Sequence, residues 1–272
     1  MKGRAEAASQ YGPSAGRQRG AWSLGPNPHE RKRAFLALLL VFAAVAGASP
    51  GNSIASQPEA VILLHGLGRT DRSMRPLEKR LSESGFRVHN FRYASTDQAP
   101  EALVDDLGRQ VESCCTEAPA LHFVGHSLGG ILIRAYLAEG LPPNVGRVVM
   151  LAPPNHGSEI VDALRESAAF RWALGPSARQ LGTDPESLPN RLPPPAVELG
   201  VIAGTGTVNP IGSIIVPDED DGMVSLASTK LEGMTDFLVV PVSHAFIMRS
   251  DEVGVQVLHF LREGRFRHEV PE

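Results

Sequence analysis

The residues with the clearest chemical meaning are Gly125-His126-Ser127-Leu128-Gly129. They match the pattern G-x-S-x-G, in which a sharp turn between a strand and a helix exposes a serine hydroxyl above a sheet. An apolar stretch precedes this motif and a helical pattern follows it, as such a turn requires. The two glycines would let the turn close without side-chain clashes. The motif therefore predicts that Ser127 is a nucleophile.

A serine hydroxyl is a weak nucleophile, so the chain must also supply a base. Where the serine sits on such a turn, the chain order is serine, acid, histidine, and the base follows a late strand. His244 comes directly after the apolar stretch 236–243, whereas His259 lies in a helical pattern and His268 in a polar tail. We therefore predict that His244 is the base.

The acid is expected between Ser127 and His244, and residues 217–224 (PDEDDGMV) are the obvious place. Asp221 precedes a glycine that permits a tight turn, so we predict that it orients His244 and stabilises its charged form. Asp220 is the alternative. Calcium at the remaining carboxylates is a further option, because oxygen-rich loops suit that ion, although EF-hand spacing is absent. No metal or cofactor is predicted for the reaction itself.

The segment His65-Gly66-Leu67-Gly68 ends the first predicted strand. In this architecture a backbone N–H of that loop joins the N–H that follows the nucleophile, and the pair stabilises an oxyanion. We assign these two donors to Leu67 and Leu128. His65 is predicted to order the loop rather than to take part in chemistry.

Strand and helix patterns alternate from residue 60 onwards. Strands are predicted over 60–64, 86–93, 121–124, 147–151, 197–203 and 237–242, and helices over 73–84, 100–114, 128–139 and 251–261. This alternation predicts an α/β fold with a mostly parallel sheet and helices on both faces. The stretch 166–195 breaks the rhythm, because it is rich in Pro, Gly, Ser and Arg. Two interpretations of this stretch are open: it forms either a small cap beside the site or an ordinary surface loop.

The N-terminal part of the chain differs from the rest. Residues 1–33 have the composition of a disordered basic extension. Residues 34–48 combine an apolar run with the small residues Ala46-Gly47-Ala48 after a basic patch, which predicts a signal peptide or, alternatively, an N-terminal anchor. The protein is therefore expected to be exported to the periplasm or the exterior, with membrane association through this segment as the alternative. One domain is predicted over 58–265.

Charge and cysteine content exclude some functions. Seven of the 26 basic and two of the 30 acidic residues fall in positions 1–48, so the remaining residues carry a net charge of −9. An acidic body argues against a nucleic-acid partner, and nothing indicates an obligate protein partner. Cys114 and Cys115 are neighbours, and a disulfide between them would have Cα atoms closer than the usual range. Their state is left open, but they cannot staple distant segments.

With these motifs the chain resembles bacterial lipases and esterases of the α/β-hydrolase family, including its GPI inositol-deacylase-like branch. The matching stretches lie within about residues 60–262 and read VILLHGLGRT, FVGHSLGG, VVMLAPPNHGSEIVD, DEDDGMVSLAST and VSHAFIM. The fourth stretch resembles the family's acid-bearing segment, which places the acid on Asp221. The resemblance implies an α/β-hydrolase fold with a small cap insert, and this insert is smaller than many lipase lids.

The function expected from these features is cleavage of carboxylic esters through an acyl-enzyme. The expected substrate is a small-molecule or lipid ester with an apolar acyl chain. Three alternatives stay open: an acyltransferase that uses the same acyl-enzyme, an amidase or peptidase that uses the same residues, and a non-catalytic cell-envelope binding module on the same fold.

Overall fold

A computed structural model describes residues 57–268 of the chain. Its strands are β1 (Ala60–Leu64), β2 (Arg87–Phe91), β3 (Leu121–His126), β4 (Val145–Leu151), β5 (Leu199–Gly206) and β6 (Asp236–Ser243). Its α-helices are α1 (Arg75–Glu83), α2 (Pro100–Cys114), α3 (Leu128–Glu139), α4 (Glu159–Leu164), α5 (Ala168–Arg179), α6 (Leu188–Arg191), α7 (Pro210–Ile215), α8 (Leu226–Thr229) and α9 (Asp251–Glu263). Two short 3-10 helices cover Asp71–Met74 and Ile247–Arg249.

The strands form one sheet in the order β2-β1-β3-β4-β5-β6, and every neighbouring pair is parallel. All five residues of β1 are buried, which explains why this strand reads as a continuous apolar run rather than an alternating one. The predicted α/β fold with a parallel sheet and helices on both faces is confirmed.

Helices cover both faces of this sheet and divide the core into two layers. The layer that contains α2 and α3 buries Leu103, Leu107 and Val111, which recur every four residues along one face of α2. The opposite layer contains α1 and α9 and buries residues such as Val257 and Phe260. Because parallel strands end at the same edge, the loops after β1, β3 and β6 meet there.

The stretch 166–195 is more regular than its composition suggested, since it contains α5 and α6. Helix α5 is broken at Gly175, which has a positive φ of 68° and is followed by Pro176. A Cβ at Gly175 would overlap the carbonyl of Thr96, so the chain passes very close to the loop before α2. The Ser177 hydroxyl donates to the carbonyl of Gln98 at 2.8 Å. These contacts hold the stretch 166–195 against the loop before α2. The domain boundaries given in the sequence analysis remain predictions.

The predictions for the N-terminus are an extension followed by a signal peptide or an anchor, all within residues 1–48. These residues lie outside the part of the chain that the structure describes. Within residues 57–268, no helix is long and apolar enough to cross a bilayer.

The sulfurs of Cys114 and Cys115 form a disulfide despite the short Cα–Cα distance of 3.7 Å. The state that the sequence left open is therefore a disulfide bond, which joins only neighbours and no distant segments.

Candidate active site

The turn between β3 and α3 carries Ser127 in an unusual backbone conformation. Its φ of 53° and ψ of −120° lie where residues other than glycine are rarely found. A Cβ at Gly129 would lie 2.5 Å from the carbonyl oxygen of Leu64, and one at Gly125 would lie 2.6 Å from the backbone of Gly129. Both glycines are therefore needed for β1, β3 and α3 to approach each other this closely, as the motif predicted.

A histidine and a carboxylate meet at the end of β6. The Nδ1 atom of His244 lies 2.8 Å from Oδ2 of Asp221, and the His244 backbone N–H donates to the Asp221 carbonyl at 2.9 Å. The other oxygen of Asp221 accepts from the backbone N–H groups of Met223 and Val224, at 3.1 and 2.9 Å. The Asp221 side chain is fully buried. Since the carboxylate can accept from Nδ1–H, the Nε2 atom of His244 is left to accept another proton.

The neighbouring carboxylate has different partners. Oδ1 of Asp220 accepts from the backbone N–H of Gly222 at 2.6 Å and from the hydroxyl of Ser213 at 2.7 Å. These bonds shape the loop and do not involve His244. Within the described part of the chain, the acidic loop does not gather three ligands that could share one cation. The geometry therefore favours Asp221 over Asp220 and gives no support to the calcium option.

Ser127, Asp221 and His244 line the same cavity, which has a volume of about 240 Å³. Most of the other lining residues are apolar, among them Leu67, Val161, Leu174, Leu181, Met223 and Val224. Leu174 and Leu181 belong to the stretch 166–195, so that stretch forms one wall of the cavity. Among residues 57–268, no hydrogen bond joins Ser127 Oγ to His244. In proteins without substrate such bonds are often long, and they tighten in the complex.

The two residues whose backbone amides are predicted as oxyanion donors, Leu67 and Leu128, both lie near Ser127. Leu67 lines the cavity, and Leu128 is the fully buried first residue of α3. Within the described hydrogen bonds neither N–H has a protein acceptor, whereas the next amide, that of Gly68, donates to the Ser95 hydroxyl at 3.1 Å. A Cβ at Gly66 would lie 2.6 Å from Nδ1 of His126, so this loop packs tightly under the serine turn.

His126 is a site residue that sequence reasoning missed. Its Nε2–H donates to the backbone carbonyl of His244 at 3.1 Å, and the two rings lie 4.9 Å apart. Burial, and then the nearby charge of His244, hold the pKa of His126 well below its ordinary range. A neutral ring with its proton on Nε2 satisfies that bond. No pattern in the sequence points to this contact, because it joins residues that are 118 positions apart.

His65 has the structural role that was predicted for it. Its ring stacks on Tyr93 with centroids 4.0 Å apart, and the Tyr93 hydroxyl donates to the His65 carbonyl. Burial lowers the pKa of His65, which keeps the ring neutral against its aromatic neighbour. His65 therefore fixes the end of β1, from which the Leu67 loop begins.

Arg134 of α3 is a buried cation that the sequence did not single out. Its guanidinium donates to the carbonyl and side-chain oxygens of Asn155 and to the carbonyls of Pro189 and Leu192. Burial lowers the pKa of Arg134 to about 10, which leaves it charged at neutral pH. Within the described residues it forms no ion pair. Arg134 thus joins α3 to the region around α6.

A parallel six-stranded sheet, a serine turn after β3 and a histidine after β6 define a hydrolase-type α/β fold. A model of the alpha/beta hydrolase family matches residues 61–253, and the chain therefore belongs to that family. The GPI inositol-deacylase-like branch stays a prediction.

Three known proteins illustrate the similarity. A candidate carbamate hydrolase of Variovorax paradoxus is 34% identical over 131 residues, which cover 44% of this chain and 48% of that protein. A triacylglycerol lipase of Burkholderia plantarii is 28% identical over 137 residues, which cover 47% of this chain and 38% of that protein. The chain thus spans less than half the length of these curated relatives. The structure of a Bacillus licheniformis lipase in propeptide form superimposes with a TM-score of 0.59 at 17% identity, covering 80% of this chain and 53% of that one.

Proposed function

We propose that this protein is a carboxylic-ester hydrolase in which Ser127 is the nucleophile, His244 the base and Asp221 the acid that orients it. The observation that carries the proposal is the 2.8 Å contact between His244 Nδ1 and the fully buried Asp221 carboxylate, beside the cavity that Ser127 also lines. The lipase and carbamate hydrolase names among the relatives support the class of reaction.

The proposed reaction has two halves. The oxygen of Ser127 attacks the ester carbonyl, His244 Nε2 takes its proton, and the amides of Leu67 and Leu128 stabilise the oxyanion. His244 then gives the proton to the leaving alcohol as the C–O bond breaks, which leaves an acyl-enzyme. Water attacks this ester with His244 again as base, and the acid leaves with Ser127 restored.

The shape of the cavity supports esters with short apolar acyl chains. Its volume of about 240 Å³ lies below the roughly 300–1,000 Å³ of sites for drug-sized ligands, and its walls are mostly apolar. Val208 lines the cavity and is 63% exposed, so the cavity opens to solvent at an apolar rim. We expect small-molecule esters to be better substrates than long lipid esters. We also expect Ser127, His244 and Asp221 to act without a cofactor. Export through residues 34–48 stays part of the proposal.

The test compares the parent chain with Ser127→Ala, using a fluorophosphonate probe and p-nitrophenyl esters of increasing acyl length. The parent should be labelled once and should favour short esters, and Ser127→Ala should lose both labelling and turnover. Ser113→Ala is a matched control, because Ser113 lies exposed on α2 and bonds to the Gln110 carbonyl. Retained turnover in Ser127→Ala would overturn the assignment.

The same preparation separates the competing functions. Added alcohols capture the acyl group if the protein is an acyltransferase, and product analysis would then show the new ester. Anilide and carbamate substrates test the amidase alternative and the chemistry named for the Variovorax relative. A protein that is neither labelled nor active on any of these would be a binding module.

A further inference from the structure

A second cluster of reactive side chains lies away from the cavity. One ring nitrogen of His89 and the sulfurs of Cys114 and Cys115 all lie within 4.8 Å of one another. His89 is in the middle of the edge strand β2, and the cysteines are at the end of α2. Helix α2 runs back from the carboxyl end of β2 to the amino end of β3. Its last residues therefore lie near the amino ends of the strands, whereas Ser127 lies at their carboxyl ends.

The periodicities of the strand and the helix bring these three residues together. His89 pairs in register with Ile62, and alternate residues of a strand share a face, so His89 lies on the same side of β2 as Phe91. Phe91 and Ile62 belong to the core layer beneath α2. On α2, positions three and four residues beyond the buried Val111 continue its stripe towards the sheet, and those positions are Cys114 and Cys115.

His89 offers a free ligand atom at this place. Its Nε2 is buried, and among the described residues it has no hydrogen-bond partner. Such an atom is costly to bury unless something binds it. Histidine binds metals through a ring nitrogen that carries no proton.

A cavity of about 260 Å³ lies on the His89 side of the cluster. Its lining includes His89, Asn90, Arg92 and Gln110, whereas neither cysteine lines it. We therefore expect a small ion to approach the cluster from the His89 side.

We propose that His89, Cys114 and Cys115 form a redox-controlled site for a thiophilic divalent cation, closed in the disulfide form and open in the dithiol form. An external reductant, either a dithiol or a phosphine, supplies two electrons. The S–S bond then breaks, and with two protons each sulfur becomes a thiol.

Binding of the cation releases two protons to solvent and forms two metal–sulfur bonds and one metal–nitrogen bond to His89. Thiolate and imidazole are the ligands that zinc and cadmium prefer, and three protein ligands leave a fourth position for water. Two thiolates neutralise the charge of the ion, so the loaded site adds no net charge beside Arg87.

The test uses the full chain and Cd²⁺ as the probe. The protein is reduced with a phosphine, desalted under inert gas and titrated while thiolate-to-cadmium absorption is followed, with native mass spectrometry for stoichiometry. The reduced chain should bind one Cd²⁺ and develop the absorption band, and the untreated chain should show no band. No band after reduction, or one Cd²⁺ shared by two chains, would overturn the proposal.

Variants test each ligand in turn. Cys114→Ser should abolish the band, and His89→Phe should weaken Cd²⁺ binding at least tenfold, by analogy with losses at metal sites. His89→Asn repeats the test with a polar side chain if the Phe variant does not fold. His259→Phe is the control, because His259 is a partly exposed histidine on α9 that bonds to the Arg265 carbonyl. Unchanged affinity in a folded His89 variant would refute the three-ligand site. Ester turnover is not the readout, so this result is independent of the proposed function.

Discussion

Replacement of Asp221 by asparagine tests the proposed catalytic site most directly, because the structure dictates how the new amide must turn. One carboxylate oxygen of Asp221 accepts from the N–H groups of Met223 and Val224, and the other faces Nδ1 of His244. In Asp221→Asn the amide oxygen must stay on the two backbone donors, since an NH₂ group there would leave donors facing donors. The NH₂ group then faces His244.

This arrangement forces the wrong form of the histidine. A donor opposite Nδ1 requires that Nδ1 accept, so the ring proton moves to Nε2. An Nε2 that already carries a proton cannot accept one from Ser127. Loss of the correct tautomer in a comparable triad costs about 10⁴ in kcat, or about 5 kcal/mol of barrier. We expect a loss of that size in Asp221→Asn.

The adjacent carboxylate provides a matched control. In Asp220→Asn the amide oxygen can keep both bonds of Asp220, to Gly222 N–H and to the Ser213 hydroxyl. We therefore expect less than a tenfold change in kcat. Initial rates on a short p-nitrophenyl ester give kcat, and thermal melting checks that both variants fold.

Two results would refute this reasoning. The first is a fall in kcat of less than tenfold in a folded Asp221→Asn variant. The second is an equal loss in the two variants, which would mean that the loop as a whole, and not the carboxylate at His244, matters.

Three further predictions concern the framework of the site. In Gly129→Ala the new Cβ would lie 2.5 Å from the carbonyl oxygen of Leu64, so we expect the free energy of unfolding to fall by about 1–3 kcal/mol. The control is Gly108→Ala on α2. Its new Cβ would lie 3.6 Å from the nearest neighbouring atom, so this variant should not lower the stability of the protein. Arg134→Leu leaves several buried carbonyls without donors, and urea unfolding should show a loss of about 3 kcal/mol. For His126 the pKa in the folded state lies below that in the unfolded state, so the folded state binds fewer protons. Stability should therefore fall as pH drops below about 6.5, and His126→Phe should flatten this slope by up to about 1.4 kcal/mol per pH unit.

Each of these predictions has a clear contrary result. Equal stability of Gly129→Ala and Gly108→Ala would mean that the close approach of β1 and α3 is not required. A fully stable Arg134→Leu variant would show that the guanidinium adds nothing beyond its burial. An unchanged pH slope in His126→Phe would assign the acid sensitivity to other buried histidines, such as His65 and His122, whose pKa values burial also lowers.

The sequence by itself determined the fold class and the main candidate residues. Helices α2 and α3 begin and end at the predicted residues, because their apolar stripe and their Gly or Pro boundaries are local properties of the chain. The G-x-S-x-G turn was readable for the same reason, since its two glycines and its flanking patterns lie within a few residues. Chain order then pointed to His244, and a glycine at position 222 pointed to Asp221.

Only the tertiary structure decided what depends on distant parts of the chain. The contact that favours Asp221 over Asp220 joins residues 23 apart, and the contact between His126 and the His244 carbonyl joins residues 118 apart. The proximity of His89 to Cys114 and Cys115 likewise depends on how α2 packs against β2. Local propensity cannot encode such contacts, because packing between elements fixes which side chains meet, and the sequence shows only which side chains are available.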